Sequence, residues 1–127
     1  MENTNSGPDV SARGQNGEVE LAQGLALFNA GDFFRAHEAW EDWWRATTRP
    51  EKQSIQGMIQ VAVALHHAAT GNWAGACSVM RRGLQNLESA RDDWRGMNLR
   101  LLRDHAKTCM DCWSAQQNAP TFKIIRE

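Results

Sequence analysis

His37, Glu38 and Glu41 stand within about one helical turn of one another inside an aromatic run, FNAGDFFRAHEAWEDWW, residues 28–44. An imidazole and a carboxylate at that spacing can hold each other by a hydrogen bond, ligate a metal, or act as a general base with its orienting acid. On a 3.6-residue helix Phe33, Phe34, His37, Trp40, Glu41 and Trp44 share one face, while Arg35, Ala39 and Asp42 take the other. The stripe expected to be buried therefore carries groups that cost about 1–3 kcal/mol each when buried without a partner. Gln60 and His67 pose the same problem further on, sharing a face with Gln56, Val63 and Ala64, with His66 a quarter turn away beside Ile55 and Ile59. If the two segments pack antiparallel, His37, Glu41, Gln60 and His67 converge, and Glu38 reaches over from about 100° round its helix.

Two functions compete for that cluster. The favoured one is a binding or assembly module in which the His, Glu and Gln groups form a buried interhelical network that fixes helix register. The other is a metal- or small-ligand-binding protein, extending to a metal-dependent hydrolase-like enzyme, that uses His37, Glu41, Gln60 and His67. Imidazole and carboxylate suit Zn, Mn or Fe, with His37, Glu41 and His67 as the ligands. No cofactor is firmly implied. The order His-Glu-x-x-Glu matches neither the Glu-x-x-His motif of carboxylate bundles nor His-Glu-x-x-His. No nucleophile, phosphate loop or cofactor motif accompanies the cluster. Phe33, Phe34, Trp40 and Trp44 would wall it. Trp43, pointing about 120° from His37 on a helix, is expected to be exposed and, with Trp94, to offer a homodimer or protein-partner contact.

The elements that must position these groups are all helical. Leu21, Leu25 and Phe28 recur at i, i+4 and i+7 behind Glu18 and Glu20, which predicts a first helix from Glu18. Gly31 stops it, and Asp32 caps an aromatic helix running to about Ala46. Thr48 and Glu51 have capping-box spacing around Pro50 and predict the next start. From Gln53 to Met80 there is no Asp, Glu, Lys or Arg, which marks a central helix touched on several sides. Gly71-Asn72 breaks it, and Trp73, Ala76, Met80, Gly83, Leu84 and Leu87 stripe the helix that follows, with Arg81 and Arg82 outward. A last helix is expected over Met97–Ala115, with Leu102, Ala106, Cys109 and Trp113 inward, ended by Pro120. Thr121–Ile125 is then a short extended arm docked through Phe122 and Ile124. Gly31-Asp-Phe-Phe-Arg-Ala36 is echoed 40 positions later by Gly71-Asn-Trp-Ala-Gly-Ala76, each a helical hairpin of the tetratricopeptide-repeat kind, at a longer period and in only two copies. The expected fold is all-α, a compact bundle of four to five antiparallel helices built from two hairpins.

Residues 1–16 are polar and read as a disordered tail before a single helical domain over 17–127. A net charge of −1 gives no electrostatic footprint for nucleic acid or an anionic membrane. Three cysteines without a framework spacing, and no leader or spanning segment, place the chain in the cytoplasm. His105, Cys109 and Cys112 share a face, but a Cys-x-x-Cys late in its helix reads as core rather than as a redox or zinc site.

Phe28-Asn-x-Gly31-x-Phe-Phe-x-Ala-His37-Glu38-x-x-Glu41-x-x-Trp44 resembles the opening motif of the uncharacterised bacterial, archaeal and plastid proteins grouped as domain of unknown function 309. A second signature also resembles it: Gln56-Gly57-x-Ile59-Gln60-x-Ala62, then His67, then Gly71-Asn72-x-x-Gly75-Ala76. Trp40 stands where an aliphatic residue is more usual and widens the aromatic patch. The resemblance implies a compact helical bundle and brings no established reaction.

Overall fold

The two corners form as their residues dictate. Gly31 and Gly71 take left-handed backbone angles, φ 88° and 80°, that a side chain would disfavour. Just beyond, Asp32 and Asn72 adopt nearly identical conformations (φ −94°, ψ 75° and φ −87°, ψ 76°). Each donates its backbone N–H five residues back, Asp32 to Leu27 and Asn72 to His67, both at 2.9 Å. Each then caps the next helix, Asp32 accepting from the Arg35 amide and Asn72 from the Gly75 amide.

In the computed structural model residues 17–48 and 50–127 are described; the tail expected over 1–16 lies outside them. The helices are α1 Glu18–Asn29, α2 Phe33–Arg45, α3 Glu51–Ala69, α4 Trp73–Leu87 and α5 Leu99–Ser114, with a 3-10 turn at Trp94–Gly96 before α5. Among the described residues there is no strand, and the fold is all-α. Each helix packs chiefly on its neighbours in the chain, and α3 sits between α2 and α4, as its lack of charge foretold. The C-terminal arm closes this row. Asn29 at the end of α1 both donates to the Ile124 carbonyl and accepts from the Ile124 amide. Phe122 packs on Phe28 of α1 and stacks on His105 of α5.

The 40-residue echo extends well past the corners. Leu21 and Val61, Leu25 and Leu65, Ala36 and Ala76, and Trp40 and Met80 are all buried pairs at that spacing. A Cβ on Gly17 would fall on the Trp43 ring, and one on Gly57 would fall 2.8 Å from the Gly83 carbonyl oxygen. Both hairpins therefore depend on a glycine where the first helix meets the second.

Four local expectations are corrected. α2 buries Phe33, Ala36, Trp40 and Trp43. The face is thus turned by about 70° from the expected one, leaving Phe34 exposed and Trp44 half-buried under the Lys52 ammonium. Trp43 is fully buried, stacked on Trp94 at 5.7 Å, so it offers no surface contact. The expected Thr48–Glu51 capping box does not form: Pro50 holds the N-cap position without a side-chain bond, and Glu51 is drawn instead to Arg95 and Trp94. α5, finally, ends at a left-handed Gln116 (φ 58°), before Pro120 is reached.

Candidate functional site

The polar residues singled out from the sequence do not converge. Gln60 accepts from Asn86 on α4 at 2.7 Å, so its side chain is used in the α3–α4 contact. The His67 ring sits 3.2 Å from the Asn72 amide nitrogen at the end of its own helix. His37 has its Nε2 3.8 Å from Glu41, one turn on in α2. The expected single network is therefore three separate pairings, of which only Gln60–Asn86 joins two helices. The cause is the turn of α2, which carries His37 and Glu41 to the edge of the buried face. His37 keeps 16% side-chain exposure and Glu41 42%. Glu38 is exposed. Among the described residues no group of three or more His, Cys, Asp or Glu side chains is placed to hold a metal, so His37, Glu41 and His67 are not a ligand set in this arrangement.

What the structure does gather on the α2–α3 face is a different group. Phe34 is 47% exposed, and its ring lies 4.9 Å from His37 and 5.4 Å from His66. His66 lies a quarter turn from the Gln60–His67 face, and that offset points it toward α2. His37 Nδ1 contacts the Phe34 carbonyl oxygen. A carbonyl only accepts, so Nδ1 carries a proton there, and Nε2 faces the Glu41 carboxylate. The face thus offers an apolar ring beside the His37 imidazole and the Glu41 carboxylate. Arg45 lies 4.0 Å from Glu41 but is spent mainly on Asp42, at 2.7 Å.

A second polar cluster, which the sequence reading missed, ties the chain together. Arg95 makes a two-pronged contact with Glu51 at 2.8 Å per bond, and Trp94 Nε1–H donates to the same carboxylate. Arg126 grips Glu18 with two bonds of 2.6 Å and donates from Nε to the Arg95 carbonyl. Hydrogen bonds from Arg95 hold the Glu51 carboxyl below its usual range against the opposing effect of burial, and Arg126 does the same for Glu18. The spacing carried no hint of this, since the partners lie 44 and 108 positions apart. Burial, and then the neighbouring Cys112, push the Cys109 thiol up to about 11, which keeps it protonated and unreactive at neutral pH.

Comparison with known proteins fits this picture of a helical unit without an assigned reaction. Residues 21–79 match the family model described as Domain of unknown function (DUF309). The chain resembles the DUF309 family. The DUF309 match runs from Leu21 in α1 into α4 and includes Phe34, His37, Glu41 and His66. An uncharacterized protein of Aquifex aeolicus (strain VF5) is 36% identical over 84 residues, 65% of this chain and 25% of that protein. The uncharacterized protein YpuF of Bacillus subtilis (strain 168) is 36% identical over 59 residues, 46% of this chain and 34% of its own length. The chain therefore spans about a quarter to a third of the curated relatives it matches. No helix among the described residues is long and apolar enough to cross a membrane.

Proposed function

We propose that this protein is a helical binding module whose working surface is the α2–α3 face around Phe34. The observation that carries the reading is an exposed phenyl ring set between two imidazoles, next to a Glu41 carboxylate whose contacts to His37 and Arg45 are long, at 3.8 and 4.0 Å. Exposed aromatics beside hydrogen-bonding groups are the usual anchors of protein contacts. The occupant we infer is another polypeptide segment that lays an apolar side chain on Phe34 and gives a lysine or arginine to Glu41. Two features support a polypeptide. In the matched relatives this helical unit is a minor part of a longer protein, so there it stands beside other chain. The α2 edge also carries Glu38, Glu41 and Asp42, which suits a basic partner.

The test is a photo-crosslinking residue at position 34, with position 81 on exposed α4 as the control, in the cell that makes the protein. The expected result is one discrete adduct from position 34 that is lost when Glu41→Lys is added, with the melting temperature unchanged. Absence of an adduct, or the same adduct pattern from position 81, would overturn the reading. An adduct at twice the chain mass would identify the partner as a second copy.

A further inference from the structure

The second corner of the molecule is open where the first is filled. At the first, Phe28 is buried with Phe33 edge-on at 5.0 Å and the arm's Phe122 at 5.6 Å. At the matching positions 40 residues on, Ala68 stands for Phe28 and Trp73 for Phe33. Two hollows lie beside them. The inner one, about 180 Å³, is bounded by Phe33, Leu65, Ala68, Trp73 and Trp113. The outer one, about 520 Å³, is bounded by Asn72, Trp73, Cys77, Trp113 and Ser114. Trp73 and Trp113 line both, so the two hollows adjoin across a pair of indoles.

The lining chemistry selects an occupant. No residue lining either hollow is Asp, Glu, Lys, Arg or His, so a charged guest would lose its hydration with no counter-charge in return. Trp113 is 2% exposed, yet no described residue accepts from its indole N–H. Trp40 and Trp94, by contrast, donate to Leu21 and Glu51. Unlike Trp43 Nε1, the Trp113 nitrogen is not sealed in the core, which leaves it available to a guest. In size the inner hollow is close to apolar cavities of roughly 150 Å³ that take up a benzene ring.

We propose that the paired hollows bind a small uncharged aromatic molecule carrying a hydrogen-bond acceptor. Its ring occupies the inner hollow against Trp73 and Trp113, where offset or edge-on contact with an indole is favourable. Its acceptor takes the Trp113 N–H, and its substituent extends into the outer hollow toward the Ser114 hydroxyl. That hydroxyl now contacts only the Cys77 thiol, at 3.7 Å. This site uses none of Phe34, His37, Glu41 or His66.

The experiment titrates nitrogen-15-labelled protein with benzamide and acetophenone, using benzoate and benzylamine as charged counterparts, and follows the six indole N–H signals by NMR. Benzamide and acetophenone should give saturable shifts confined to Trp73 and Trp113, with dissociation constants of about a millimolar. The charged probes should bind at least about tenfold more weakly. Ala68→Phe restores the ring of the first corner and should abolish the shifts without lowering the melting temperature. Ala119→Leu, at the rim of the inner hollow, should weaken binding by about tenfold and serves if the phenylalanine variant does not fold. Unmoved signals with the neutral probes, equal binding of benzoate, or undiminished binding in a folded filled variant would overturn the proposal.

Discussion

The hairpin at 17–44 sets an indole, Trp43, against Gly17, whereas the hairpin at 57–84 sets a second glycine, Gly83, against Gly57. The corners between their helices have the same backbone, down to the hydrogen bond of 2.9 Å that closes each. Local chemistry therefore decides the turn, and the size of the side chains at equivalent positions decides what the turn encloses. In the first hairpin Phe28, Trp40 and Trp43 fill the space between helices, and they draw in rings from elsewhere, Trp94 and Phe122. In the second, Ala68, Met80 and Gly83 occupy those places, backbone approaches backbone, and a hollow is left at the corner. One design, loaded with large or small residues, gives a sealed core or an open groove.

That contrast can be broken most decisively in the core. Trp40→Ala should cost about 3–5 kcal/mol, because a fully buried indole and its bond to the Leu21 carbonyl are both lost. Met80→Ala, at the equivalent position, should cost about 2–3 kcal/mol. Urea unfolding of both variants measures the gap, and equal losses would mean that the first hairpin does not depend on its aromatic filling.

A smaller loss depends on pH. The Glu51 and Glu18 carboxyls are both lowered from an ordinary value of 4.5, chiefly by their bonds to Arg95 and Arg126. A carboxyl lowered by folding stabilises the protein above its unfolded pKa, and the gain is lost as pH falls through the folded one. Stability should therefore drop as the solution is acidified below pH 4.5. The drop should be reduced more by Glu51→Gln than by Glu18→Gln, since Glu51 is 26% exposed and Glu18 40%. Melting temperatures measured across that range would contradict this if the two variants tracked the wild type.

The smallest effect tests sameness rather than difference. Asp32→Ala and Asn72→Ala each remove one capping acceptor and should each cost about 1 kcal/mol. Unequal costs would show that the two corners are not energetically equivalent despite their shared geometry.

Much of the fold was legible because the informative residues act locally. Gly31-Asp32 and Gly71-Asn72 announce their corners through backbone conformation and capping, and the stripes of α4 and α5 are one-sided enough to orient those helices. α2 was not legible in the same way. Its five aromatic residues leave no single apolar face, so periodicity alone could not say whether Phe34 or Trp43 faced inward. The deciding fact is Gly17, whose missing side chain makes room for Trp43 from another helix. Following the 40-residue echo past Ala36 would have paired Trp43 with Gly83, already placed on an inward stripe. The error then propagated: with α2 turned by about 70°, His37 and His66 both lie against the Phe34 ring, and His67 pairs with Asn72. The ionic cluster at Glu51 and Arg126 was unreadable because nothing local foreshadows contacts between such distant positions.

The arm of Phe122, Ile124 and Arg126 has a consequence for synthesis. Its side chains complete a nucleus laid down almost a hundred residues earlier, from Asn29 to Ile124. On a ribosome the first hairpin must therefore wait, with Phe28 uncovered, until those late residues clear the exit tunnel. The second hairpin waits less long, since the residues that complete it, such as Arg103 on the Leu87 carbonyl, come from the helix directly after it.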